Sequence, residues 1–252
     1  MMKPPLGSMI DFSHPLSRGL VGCWLMNEGS GNRIHDISGN NNHGVLTNGP
    51  TWKPGRDGGA LAFDGSNDYV ESPDSDLLEP TDATFVLWIY PILWAGSIRV
   101  LIAKRVTNGY MIFFHTATNK LYWDWGPAAE GTNRWATTYL PPLNIWTMLG
   151  FTRTASARGL YVNGAIHSSS SAGDSTKIAT ASVLRIGHDS SAVQYPFNGS
   201  ISSVSIYNRA LSAEEIAKLY VNPYCFIWNP RKYWLMPQGV TIPPHILHRR
   251  AA

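Results

Sequence analysis

Apolar positions along this chain come in short bursts separated by turn formers. Residues 19–26 (GLVGCWLM) form the first burst, bounded by glycine, and residues 60–63 and 69–71 form two shorter ones around the turn Asp64-Gly65-Ser66-Asn67-Asp68. Residues 84–90 (TFVLWIY) are rich in β-branched and aromatic side chains, as a buried strand requires. Residues 100–104, 110–115 and 120–125 read as a meander, with Asn108-Gly109 as its predicted hairpin turn. Residues 145–152 (IWTMLGFT) predict another central strand. Residues 159–162 and 165–167 flank Asn163-Gly164, a second hairpin signal. Residues 183–186 and 199–207 complete the strands. Helical periodicity occurs once, where Ile216, Leu219 and Tyr220 follow Ser212, an N-cap with Glu215 in the capping-box position. The pattern predicts an all-β chain: an antiparallel two-sheet sandwich with one short C-terminal helix and extended terminal arms.

Composition agrees. Hydrophobic residues make up 44% of the 252 positions and charged residues only 15%, with 23 Gly and 17 Pro. Few charges with many turn formers suit many short strands around one core. The domain is expected over residues 19–221, after an irregular leader (1–18) and before an aromatic, Pro-rich arm (222–252). The net charge of +3 carries no dense basic block, so no nucleic-acid partner is expected. Prolines 4, 5 and 15 interrupt the only stretch that could act as a signal peptide, and Met9 is an alternative start. No apolar run reaches the length of about 18 residues that membrane insertion needs. Cys23 and Cys225 lack metal-type spacing, and read as a bridged pair or as two buried thiols.

Several short motifs occur in a telling order. They are Gly19-Leu20-Val21-Gly22 with Trp24 and Asn27-Glu28-Gly29; Asp36-Ile37-Ser38-Gly39-Asn40 through Gly44; and Phe63-Asp64-Gly65 before Asp68-Tyr69-Val70. The strand 85–91 ends in Trp-x-Tyr-Pro. Tyr161-Val162-Asn163-Gly164, Phe197-Asn198-Gly199 and Ile206-Tyr207-Asn208-Arg209-Ala210-Leu211-Ser212 follow. Over residues 19–221 this order resembles the laminin-G-like jelly roll of the concanavalin A-like lectin/glucanase superfamily. The leader also resembles openings of such domains in phage structural proteins. The resemblance implies a jelly-roll sandwich. It does not fix a function, because the fold hosts lectins, adhesion modules, polysaccharide-cleaving enzymes and structural domains.

The candidate chemistry is weighed residue by residue. A glycoside hydrolase needs two carboxylates across one cleft, and the strands 84–90, 110–115 and 145–152 carry none. Asp124 stands alone between tryptophans, and His115, His167 and His188 are scattered, so no catalytic residue is assigned. Sugar binding is expected of Trp94, Tyr122, Trp123, Trp125, Asn133, Arg134 and Trp135, because aromatic faces stack on sugar C–H surfaces while amides and guanidinium bind hydroxyls. These tryptophans alternatively fill the core. The resemblance implies a structural calcium near the loop of Asp36, Asn40 and Asn42, although Ser202-Ser203 stands where related domains carry an acid. The alternative is an Asx turn.

The segment after the helix is too apolar for a solvated tail. Tyr224, Phe226, Trp228, Tyr233 and Trp234 are expected either to dock on neighbouring subunits, a homo-oligomer included, or to strap the chain's own sandwich. The leading expectation is a non-catalytic binding or assembly domain on a virion surface, with glycan- or host-facing loops. A calcium-assisted lectin-like module of a secreted or cell-surface protein is the second, and a polysaccharide-cleaving enzyme the third.

Overall fold

The computed structural model describes residues 2–96, 98–106, 108–127, 134–171, 180–191 and 195–228. Two eight-stranded antiparallel sheets pack face to face. The front sheet runs, in spatial order, through Arg134–Ala136, Lys120–Pro127, Asn108–His115, Ile98–Arg105, Leu184–Ile186, Tyr69–Ser72, Gly44–Thr47 and Arg33–Ile34. The back sheet runs through Ala165–Ser170, Arg158–Val162, Thr147–Arg153, Ala83–Pro91, Asn198–Tyr207, Gly59–Asp64 and Thr51–Pro54. Leu20–Trp24 joins the same edge of Asn198–Tyr207 beyond Gly59–Asp64. The expected all-β sandwich is the observed one.

Alternation decides what fills the space between the sheets. Phe85, Leu87 and Ile89 of the back sheet meet Tyr110, Ile112, Phe114, Leu121, Trp123 and Trp125 of the front sheet in one buried cluster. Trp123 and Trp125 are 1% and 2% exposed and pack edge-on against Phe85. Trp24 is also fully buried and donates from Nε1 to Asn42 O at 2.7 Å.

A second cluster covers the outer face of the back sheet. The helix Ala213–Val221 lies there, capped as the sequence predicts by the reciprocal Ser212–Glu215 pair. Ile216 and Leu219 are buried, and the Tyr220 ring stacks on Trp88 at 5.7 Å. Ile10 and Leu16 of the leader share this cluster with Tyr224, Phe226 and Ile227, and Met9–Ile10 pairs with Ile227–Trp228. Of the expected interface residues, Tyr224 and Phe226 are therefore buried against their own sandwich. Trp228 is half-buried in the terminal strand pair. Tyr224 and Phe226 pack here because the sheet beneath them is apolar; Tyr233 and Trp234 lie outside the described residues.

Glycine plays a different part at each of the two hairpin signals. At Asn163-Gly164 both φ values are positive (49° and 85°) and the two strands pair directly across it. Asn108-Gly109 instead lies inside the strand Asn108–His115. Gly109 is needed there because a Cβ would overlap the backbone at Lys104 and Arg105 on the neighbouring strand. The two cysteines are free thiols. Cys23 is fully buried, and burial pushes its thiol up to about 12.

Candidate functional site

The outer face of the front sheet carries the polar chemistry. Register places Glu71, Arg185, Ala103, Met111, Asp124 and Arg134 in one row across neighbouring strands. The middle of the row is apolar: Ala103 and Met111 are buried with Val100 and Phe113, and Ile98, Tyr122 and Tyr195 pack on them. A charged arrangement flanks this patch on each side.

On one side, Asn48, Asn67, Tyr69, Arg185, His188, Ser190 and Ser191 line a cleft of about 320 Å³. Three turns build it. Asn48, at φ +63°, follows the strand Gly44–Thr47 and donates from Nδ2 to Asn67 O at 3.0 Å, tying two turns together. Tyr69 opens the strand Tyr69–Ser72. Arg185 is fixed on three sides: Nε donates to Glu71 Oε2 at 2.9 Å, Nη1 donates to Asp189 O at 3.1 Å, and Cζ sits 4.3 Å above the Tyr69 ring. The His188 ring lies 5.6 Å from the same tyrosine, and its Nδ1 is 2.9 Å from Asp189 O. A carbonyl only accepts, so Nδ1 carries the proton and Nε2 is an acceptor in the neutral ring.

Asp189 anchors the far wall. It is fully buried and takes Arg105 Nε and Nη2 at 3.2 and 3.0 Å and Ser191 Oγ at 2.8 Å. Ser190 Oγ is used up by the backbone N–H and carbonyl of Arg105. Among the described residues, Tyr69 Oη, the Asn67 amide, Arg185 Nη2 and His188 Nε2 carry no hydrogen bond. They are the groups left to meet a ligand. Among the described residues no carboxylate lines the cleft: Glu71 is held by Arg185, and Asp189 is inside.

On the other side of the row lie some of the expected sugar-binding residues. Tyr122 stacks on Phe113 at 5.2 Å and donates to Thr118 Oγ1 at 3.1 Å. Arg134 grips Asp124 through Nε and Nη2, both at 2.8 Å, and lies over the Phe113 and Tyr122 rings. These two residues do come together on an outer face. Trp123 and Trp125 do not join them, because strand alternation turns them into the core. Trp94 and Trp135 are half-buried against the core, and Trp94 Nε1 is taken by Pro141 O at 2.9 Å. Asn133 lies outside the described residues. The cleft itself was missed from sequence.

The loop expected to hold calcium converges, but on its own donors. Asp36 Oδ1 accepts from the Cys23 and Ser38 N–H groups, both at 2.9 Å. Its Oδ2 accepts from Ser38 Oγ at 2.9 Å and Asn42 N at 3.0 Å. Asn40 and Asn42 both turn Nδ2 to Val21 O. A calcium ion needs oxygens facing it, and here the carboxylate is surrounded by N–H and O–H groups. The three residues do not fit the ion; they form a buried Asx turn. Among the described residues no cluster of three or more His, Cys, Asp or Glu is placed to hold a metal.

Comparison with known proteins follows the same lines. A family model described as Concanavalin A-like lectin/glucanases superfamily matches residues 64–217. The chain belongs to this superfamily. Among solved structures, the binding domain of Paraclostridial Mosquitocidal Protein 1 superposes with a TM-score of 0.68 at 20% identity, over 83% of this chain and 53% of that one. Domain 4 of AbnA, an extracellular GH43 arabinanase from Geobacillus stearothermophilus solved with arabinotriose, gives 0.63 at 19%, over 80% of this chain and 98% of that one. The botulinum neurotoxin serotype D binding domain gives 0.62 at 14%, over 83% and 53%. The chain thus spans about half the length of the two toxin domains and nearly all of the arabinanase domain. At these identities the likeness is one of fold. A comparison with curated protein sequences gave no match.

Proposed function

We propose that this chain is a non-catalytic carbohydrate-binding module and that the cleft at Tyr69 and Arg185 holds the sugar. The observation that carries the reading is the lining: amides, hydroxyls, an imidazole and a preorganised guanidinium face one concave space, with no carboxylate among the described residues that line it. Hydroxyl-rich ligands need such mixed donors and acceptors at fixed positions. A glycosidase would need two acids there. The superfamily includes lectins, and the arabinanase domain named above was solved with a bound trisaccharide. No helix among the described residues is long and apolar enough to cross a membrane. An extracellular setting belongs to the same proposal, as does display on a particle or cell surface.

The test is a glycan array followed by calorimetry on the best ligand. Tyr69→Phe and Asn67→Ala remove groups that hold no hydrogen bond among the described residues, so stability should be unchanged. Each should weaken sugar binding about fivefold, the weight of one hydrogen bond. An array without a hit, or variants that bind as the unaltered chain does, would sink the proposal.

A further inference from the structure

Two loops at one end of the sandwich leave large aliphatic side chains half in water. The first follows Ala83–Pro91, and the second, residues 137–146, leads into Thr147–Arg153. On them Ile92, Leu93, Leu140, Leu143 and Ile145 are each between 41% and 54% exposed. They share one surface because the loops are bonded to each other. Asn144 N donates to Pro91 O at 2.7 Å, and Trp94 Nε1 donates to Pro141 O at 2.9 Å. Scattered exposed leucines need no explanation, but a contiguous apolar patch marks a contact surface.

The loops hold these side chains out. Pro91, Pro141 and Pro142 fix their backbone angles, and Ile92 N donates to Asn198 O at 3.0 Å. The Trp94 ring packs on Phe114 and Phe197, with centroids 4.3 and 5.9 Å away, and Trp146 packs on Tyr90 at 5.4 Å. Each loop thus combines exposed Leu and Ile with a half-buried tryptophan. Aliphatic tips beside indole rings match the layering of a bilayer boundary, where Trp and Tyr sit at the headgroup level.

Unpaired charge beside the patch is positive. Residues 83–123 and 131–173 contain no Asp or Glu. Lys120 is exposed, and the turn before it is tied to the first loop by Thr116 Oγ1, which donates to Gly96 O. Arg99 Nε donates to Ala95 O at 2.5 Å and its Nη1 to Gly65 O at 3.1 Å. Neither cation has an ion-pair partner among the described residues. His167 stands beside the second loop, its ring 4.9 Å from that of Tyr139. The turn Asp64–Asp68 brings two carboxylates to this end. Asp68 is buried, Asp64 Oδ1 accepts from Ser66 N, and Arg99 bridges this turn to the first loop.

We propose that this end of the sandwich docks on an anionic phospholipid bilayer. The aliphatic side chains enter the headgroup boundary while Lys120 and Arg99 meet the lipid phosphates and carboxylates. Such binding grows with the apolar area buried and with attraction to anionic lipid. A second copy fits the surface less well. Five half-exposed aliphatic side chains offer on the order of 400 Å², about half of the roughly 800 Å² per partner of a standard interface. A two-fold pair would also bring the unpaired cations of both copies to one seam.

The test is co-sedimentation of the full chain with vesicles of phosphatidylcholine, alone or with about 30% phosphatidylserine. The mixed vesicles should bind roughly tenfold more tightly, and salt at about 0.5 M should remove most of that preference. Leu93→Asn together with Ile145→Asn should weaken binding to the mixed vesicles about tenfold, and Lys120→Gln about fivefold. These positions are exposed, so the variants should melt with the unaltered chain. Neither lipid carries a sugar, so the outcome is independent of the cleft at Tyr69. No binding to mixed vesicles overturns the proposal, as does binding that the paired aliphatic substitution leaves intact. Sedimentation equilibrium without lipid should show a monomer. A dimer that the same paired substitution splits would give the surface to a second copy and overturn the proposal as well.

Discussion

Asp36 carries more of the fold than any exposed charge does. It is 5% exposed, and its two oxygens collect three backbone N–H groups and one hydroxyl from both sides of a long turn. Charge-assisted bonds of this kind are stronger than neutral ones, and removing the acceptor leaves buried donors without partners. Asp36→Ala should therefore cost about 3–5 kcal/mol, read from the denaturant midpoint. Asp36→Asn, which sets an amide N–H donor against the Ser38 hydroxyl and the Asn42 N–H at the Oδ2 position, should fall between Asp36→Ala and the unaltered chain. A variant within error of the unaltered chain would mean that the carboxylate is not the acceptor described. The resemblance implied a metal ligand at this position; the local backbone uses the carboxylate first.

At the scale of elements, most strands were legible because alternation and turn chemistry are local. The helix was legible for the same reason, since its capping box is written in four consecutive residues. Ser212→Ala should cost about 1 kcal/mol, measured by thermal or denaturant melting. The loss should grow if Arg209, which grips Glu215 through two nitrogens at 2.7 Å, is replaced as well. A double effect equal to the sum of the two single ones would show that the two contacts hold Glu215 independently. Elsewhere a local signal was present and misread. Leu121 shares its strand parity with Trp123 and Trp125, which points all three inward and leaves Tyr122 and Asp124 outside. The cleft offered no such signal. Its residues come from turns near 48, 67 and 188, brought together only when the strands between them pair. Lys3 was equally silent: its Nζ donates to the carbonyls of Leu25, Gly59 and Ser202, and a register shift at Ser202 and a bend at Met26, both tertiary facts, bring these together.

The whole molecule has two unlike faces. The helix, the leader around Ile10 and Leu16, and the segment Tyr224 to Ile227 all lie on the outer side of the back sheet. The cleft lies on the outer side of the front sheet, across the full thickness of the core. Sandwiched sheets stand about 10 Å apart, so a tether at the leader or just past Trp228 leaves the cleft facing away from its anchor. This is the geometry expected of a module displayed on a larger body. Surface plasmon resonance can check it with the chain biotinylated either at its N-terminus or at a cysteine introduced by Ser66→Cys, at an exposed turn position beside the cleft that is not part of its lining. The terminal tether should keep the sugar-binding capacity per immobilised molecule, and the rim tether should lose most of it. Capacity lost equally from both tethers, with the protein still folded, would place the binding surface somewhere other than the front sheet.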